Sequence, residues 1–225
     1  MKINIFILVA LLLSGCVAQP VKKDMSAFIA AAPRSILVVP VINKSLDVDA
    51  PNYVLATLPV PVAEKGYYVF PVNTTKFVLE QEGFYEGESI HQQPTPTLAK
   101  MFGADAVLYV TINRWDAQYV LITTTVTVQF EYRMVNKDGT EIWAEKKTMV
   151  YQPQNNNTGG HPVAQLLMVL VNAAVTRAAP NYIPLTQMTN RDVFILGVNA
   201  IPDGPYKENE KPVTSWATKL KDILQ

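Results

Sequence analysis

Cys16 is the residue best placed to do chemistry, and it is the only cysteine in the 225-residue chain. It follows Leu13-Ser14-Gly15, where two narrow side chains suit a peptidase cleft. Alkylation of its sulfur with diacylglycerol, followed by cleavage before it, would make Cys16 a lipid-bearing amino terminus. A lone cysteine forms no disulfide within the chain, and in an oxidising compartment an unpaired thiol asks for an explanation that lipidation supplies. The remaining reactive side chains are sparse. His91 and His161 are the two histidines, both in polar loops or at a helix start. A catalytic zinc usually takes three protein ligands, and there is no Cys or His-x-x-x-His spacing to provide them. There is no Gly-x-Ser-x-Gly elbow, and Thr158-Gly159-Gly160 lacks the lysine and spacing of a phosphate loop. Glu80, Glu82, Glu86 and Glu88 around Gly83 and Gly87 read as a solvated acidic face. No catalytic residue, metal or cofactor is expected, and an enzyme is not the favoured reading.

The segment before Cys16 supports its role. Lys2 gives a basic start, and Ile3 to Leu13 is apolar except for Asn4. That is the layout of a secretory signal peptide, and the run is shorter than the ~20 apolar residues a membrane span needs. Leu13 to Cys16 resembles the lipobox of bacterial lipoproteins. One acyl chain holds a protein only marginally, at about 0.8 kcal/mol per buried CH₂, whereas two or three make the anchor stable. The next residue is Val17 rather than Asp. By resemblance to the enterobacterial sorting rule this implies the outer membrane, with the domain in the periplasm and surface exposure left open.

Acidic and basic side chains number 19 each. That balance gives no electrostatic case for nucleic acid or an anionic lipid surface. With 49% hydrophobic residues the chain is globular. Four regions are expected: a signal peptide over 1–15, a lipidated tether over 16–33, one globular α/β domain over 34–200, and a tail over 201–225. The longest uncharged stretch after the signal, Pro162 to Thr176, reads as part of a buried helix that ends near Ala179 before Pro180.

Within the domain, Ser35–Val41 and Tyr67–Val72 read as strands. Between them Pro59 and Pro61 forbid one continuous helix over 52–65. A helix capped by Asn73 or Thr74 should reach Glu82 and stop at Gly83. Another should start with Thr95 as N-cap and Pro96 in its first turn, and end at Gly103. Ala104–Thr111 then forms a third strand, giving a β-α-β-α-α-β order with parallel strands. From Val126 the alternation Val126, Val128, Phe130, Tyr132, Met134 predicts a half-buried strand, turned by Asn136 to Gly139 into a partner over 140–151. The fold class is therefore α/β (α+β): a mixed sheet with a long antiparallel hairpin and helices packed on it. A polar loop over 152–160 and a helix from about Leu185 to Phe194 complete the reading.

The aromatics admit two readings. Tyr67, Tyr68 and Phe70 share one strand, while Trp115 and Tyr119 flank the corner between the third strand and the hairpin. They either pack in the core or line a groove for a partner's peptide. Tyr67, Tyr68, Trp115 and Tyr119 are the partner-binding candidates.

Ala63 to Val72, Gly103 to Val110, Asp138-Gly139 with Trp143, and Gly204-Pro205-Tyr206 together resemble a family of Gram-negative lipoproteins of unassigned function. That family includes a genome-derived meningococcal vaccine antigen. More remotely, the element order is similar to the amino-terminal domain of TolB and to the periplasmic domain of the curli-secretion lipoprotein. That similarity implies helices on one face of a sheet and a role in envelope assembly or transport. The combined expectation is a non-catalytic envelope module. It would be held to a membrane through Cys16 and bind other envelope proteins, with a homo-oligomer left open. The competing expectation is a carrier for a small apolar ligand, which would need an enclosed apolar cavity.

Overall fold

The computed structural model describes residues 22–120, 123–151 and 182–207, with backbone alone for 117–120 and 123–125. After α1 (Ser26–Ala31), β1 (Ser35–Val38) lies parallel to β3 (Tyr68–Val69) on one side and to β4 (Ala106–Val120) on the other. β2 (Ile42–Asn43) continues along β4 beyond the end of β1. Strands returning in the same direction need crossovers, and these carry the helices. They are α2 (Ala50–Thr57) and α3 (Pro59–Glu64), then α4 (Val72–Gln81), α5 (Gly87–His91) and α6 (Thr95–Phe102). Pro59 separates α2 from α3 because its ring nitrogen has no hydrogen to donate to the preceding turn. α6 ends at Gly103, which takes the left-handed conformation at φ 70°. Thr95 does not cap α6 as the sequence suggests. Its hydroxyl is spent instead on the Tyr109 hydroxyl at 2.9 Å.

The antiparallel part is larger than one hairpin. β4 runs on past Thr111, pairs with β5 (Thr123–Asn136), and β5 pairs with β6 (Glu141–Tyr151). Trp115 and Tyr119 therefore lie within a strand and not at a corner. The apolar face of β5 is buried as expected, at Val126, Val128, Phe130, Tyr132 and Met134, and Thr127 of the opposite face is buried with it. The sheet order is β3-β1-β4-β5-β6, with β2 beside β4.

Alternate residues of β1 and β4 feed two cores. Ile36, Val38, Leu108 and Val110 join Phe130 and Tyr132 under α1–α3 and α7 (Ile183–Arg191), and under the π-helical turn Asp192–Leu196 that follows. Leu37, Val39, Val107 and Tyr109 meet Leu79, Ile90 and Leu98 of α4–α6 on the other face. Helices thus cover both faces, correcting the one-face arrangement implied by TolB. Strands apolar on both sides need a layer on each. In the first core a buried polar chain ties three elements together. Tyr132 donates to Asn190 Oδ1 at 2.7 Å, and Asn190 Nδ2 donates to Thr57 Oγ1 at 2.9 Å. The Thr57 hydroxyl donates in turn to the Val54 carbonyl at 2.9 Å, so each of these buried groups is partnered.

Two expected boundaries shift. The stretch expected as tether carries α1, whose Phe28 is buried against the edge of Tyr67. The stretch expected as tail begins with Ile201 in the core, followed by a segment to Lys207 that lies on the domain. Strand 67–72 shrinks to Tyr68–Val69 because α4 begins at Val72. Cys16, the signal segment, the 152–160 loop, His161, the helix expected near Pro162–Ala179 and the chain after 207 lie outside the described residues.

Candidate interaction surface

The four aromatic candidates part company. Trp115 is 5% exposed, stacked on Tyr182 with ring centroids 4.5 Å apart, and its indole N–H donates to Asp47 Oδ2 at 3.0 Å. Tyr67 is 5% exposed and donates its hydroxyl to the Pro202 carbonyl at 2.8 Å. Burial, with Asp203 nearby, pushes the Tyr67 phenol well above its ordinary range. Both are core residues and neither is a free anchor. Tyr119 sits on β4 opposite Thr124, and its side chain lies outside the described residues. Tyr68 alone is shown open, 51% exposed, with its ring edge-on to Phe70 at 5.1 Å.

The pleat separates Tyr67 from Tyr68 at β3, which ends the sheet among the described residues. Tyr68 and Phe70 point to the α4–α6 side, while Tyr67 and Val69 point to the α1 side. Among the described residues no strand pairs with the outer side of β3. On the Tyr67 side an open groove of about 430 Å³ runs between α1 and the 202–205 segment. Phe28, Ile29, Tyr67, Pro202 and Pro205 supply apolar walls, and Arg34 and Asp203 stand on its rim.

Two glycines let the wall close. The Gly204 N–H donates to the Lys65 carbonyl at 2.6 Å, and the Tyr206 N–H donates to the Gly66 carbonyl at 2.9 Å. A Cβ on Gly204 would run into the Gly66 carbonyl, and one on Gly66 into the Lys207 backbone. Gly66 also holds φ 88°, which side-chain-bearing residues rarely adopt. Around this contact Lys65 pairs with Asp203 at 2.6 Å, and Arg34 donates to the Tyr206 hydroxyl at 3.0 Å. Lys65, with Lys207 nearby, holds the Asp203 carboxyl below its usual range.

The model of a family described as "Putative lipoprotein GNA1162-like" matches residues 23–197. The chain belongs to that family. A relative from Neisseria meningitidis serogroup B, "Putative lipoprotein NMB1124/NMB1162", is 36% identical over 171 residues. That match spans 75% of this chain and 77% of the relative. The crystal structure of lipoprotein GNA1162 from Neisseria meningitidis superposes with a TM-score of 0.53 at 32% identity. The superposition covers 64% of this chain and 100% of that one. Membership in a lipoprotein family implies attachment to a membrane of the envelope.

The segments that carry the family resemblance have structural work to do here. Ala63–Val72 and Gly204-Pro205-Tyr206 are the two sides of the glycine contact. Asp105 of the Gly-Ala-Asp-Ala segment accepts from the Arg34 and Ser35 N–H groups and the Ser35 hydroxyl, all within 3.1 Å, locking β1 to β4. Trp143 donates its indole N–H to the Asn199 carbonyl at 2.9 Å. Asp105 has a role that sequence reasoning missed; its position just after a helix stop and just before a strand was the available signal. On the second face, His91 Nε2 lies 3.0 Å from the Pro40 carbonyl, and the ring stands edge-on to Tyr109 at 4.9 Å. Burial drives the His91 imidazole down to about 4. No group of three or more His, Cys, Asp or Glu side chains is arranged to hold a metal among the described residues. The acidic side chains Glu82 and Glu86 are exposed, as a solvated face requires.

Proposed function

We propose that this chain is a lipid-anchored, non-catalytic interaction module of the outer membrane, its domain in the periplasm and its anchor on Cys16. It binds an envelope protein, as an accessory to a secretion or transport assembly. The observation carrying this reading is the β3 edge, to which no strand is added among the described residues, with the exposed Tyr68 on one side and the Phe28–Tyr67 groove on the other. Edge strands are where a partner's extended segment adds, with neighbouring pockets supplying specificity. The carrier reading has less support. The space between sheet and helices is filled on both faces by side chains such as Phe130, Tyr132, Leu79 and Leu98, which have no solvent exposure.

The test is crosslinking and capture from intact envelopes with the native lipid in place. Cys16→Ala should end palmitate labelling and release the protein from the membrane. Tyr68→Asp in the lipidated protein should remove a crosslinked partner without lowering the melting temperature. If Tyr68→Asp leaves every crosslink intact, the β3 edge is not the docking surface. If the Cys16→Ala protein still labels and stays membrane-bound, the anchor is elsewhere.

A further inference from the structure

The first residues of the described chain are pinned to one place on the domain. The Lys23 ammonium donates to the Ala144 carbonyl at 2.6 Å and pairs with Glu145 Oε2 at 2.9 Å. That carboxylate oxygen is out of reach of solvent. The Lys23 N–H donates to Asn199 Oδ1 at 2.9 Å. The chain therefore leaves the domain beside Asn199 and β6, the last strand of the sheet among the described residues. Next to this exit lie Leu196 and Val198, 68% and 52% exposed, on the rim of an open groove of about 360 Å³. The charges lining that groove are paired: Glu145 with Lys23, and Asp192 with Lys147.

Seven residue-to-residue steps lead from Cys16 to Lys23, and fully extended they reach about 25 Å at ~3.6 Å each. A domain of this length measures on the order of 40 Å across, from a radius of gyration of ~16 Å. The exit point can thus never be on the side of the domain away from the anchor. We propose that the Leu196–Val198 surface faces the bilayer, with both side chains seated at the headgroup–acyl boundary while the Cys16 lipid holds the domain down. This rests on the lipidation proposed above. Exposed aliphatic side chains beside a charge-neutralised rim suit that boundary, where burial of CH₂ groups adds to the anchor and no anionic lipid is required.

Full-length lipidated protein reconstituted in phosphatidylethanolamine–phosphatidylglycerol liposomes tests this. Acylation consumes the Cys16 thiol, so Leu196→Cys or Val198→Cys provides a single site for an environment-sensitive fluorophore. Phe77→Cys and Tyr85→Cys, exposed on the α4–α5 side, are the controls. Labels at 196 and 198 should shift to shorter wavelength and lose most of their emission to lipids carrying a nitroxide on the acyl chain, whereas labels at 77 and 85 should not. Unquenched labels at 196 and 198 in protein that floats with the liposomes overturn this orientation alone. A blue shift without lipid quenching, accompanied by 196–196 crosslinks, assigns the surface to a second copy and also overturns it. If unsubstituted protein takes label at Cys16 and fails to float, the lipidation reading falls, and this one with it.

Discussion

His91 should make the domain sensitive to mild acid. Desolvation is the main force lowering its imidazole to about 4, and the Arg133 guanidinium pushes the same way. The contact with the Pro40 carbonyl and the charge of Glu88 pull back less strongly. In an unfolded chain the same ring titrates near 6.5. The folded-state value is the lower one, so as pH falls the unfolded chain takes up the proton first and is stabilised by it. Stability should be intact above about pH 6.5, fall between 6.5 and 4, and level off below. Integrating that difference gives a loss of about 2 kcal/mol between pH 7.5 and 5. For a domain of this size that is roughly 4–8 °C in melting temperature. The Asp24 and Asp203 carboxyls are held low by Ser26 and by Lys65, so they titrate beneath this window. His91→Gln keeps an N–H for the Pro40 carbonyl and cannot titrate. Denaturant unfolding of both proteins at pH 7.5 and 5 should show the wild type losing about 2 kcal/mol more than the variant. His161 is common to both and cancels. Equal losses would mean that His91 is not held neutral in the fold.

Three further outcomes follow from the packing. Trp115→Ala should cost about 3–5 kcal/mol of stability, while Tyr68→Ala should stay within about 0.5 kcal/mol, both read by denaturant unfolding. Gly66→Ala should cost more than about 1 kcal/mol through its positive φ and the collision with the Lys207 backbone, and should expose the 202–207 segment to limited proteolysis. Asn190→Leu strands the Tyr132 hydroxyl and one Thr57 contact, so a loss of about 1–3 kcal/mol is expected. A change smaller than half a kilocalorie would show that the polar chain in the core is re-satisfied by other means.

Much of the fold was legible because local signals and long-range packing agree there. The residues 126–134 alternate so regularly that one face is wholly apolar, and Pro59 and Gly103 punctuate helices by backbone chemistry alone. The failures share a cause. Residues 22–33 open on the charged run Lys22-Lys23-Asp24, and 201–207 hold two prolines and a glycine, which reads as tether and tail. They are ordered by partners far away in sequence: Phe28 by Tyr67, Lys23 by Glu145, Gly204 by Lys65. Thr95 looked like a cap because its place before Pro96 is right for one, yet Tyr109, fourteen residues on, takes its hydroxyl. Aromatic type likewise says nothing of depth. Tyr67 and Tyr68 are neighbours of the same kind, and the pleat sends one into the core and the other to solvent.

The same reasoning explains why the family resemblance was clear in the sequence while function was not. Each segment that carries it maintains an internal contact: the Gly66–Gly204 crossing, the Asp105 clamp on β1, the Trp143 bond to Asn199. Such contacts tolerate few substitutions, since a Cβ at either glycine collides with backbone and removal of Asp105 leaves the Arg34 and Ser35 N–H groups without their acceptor. An interaction surface obeys a looser rule. It needs an open edge, an apolar wall and a few exposed anchors, which many residue choices satisfy. At the β3 edge the two demands meet, because the glycine contact that builds the fold also sets the wall of the groove. A partner that reads this groove would be reading a wall fixed by the glycine contact, with specificity left to the exposed positions near this edge: Ile29, Tyr68 and Tyr206. Exchanging those three residues between family members, with Gly66 and Gly204 untouched, should move partner choice without moving the unfolding midpoint. A loss of partner from the Gly66→Ala protein alone, with the triple exchange silent, would place recognition in the wall itself.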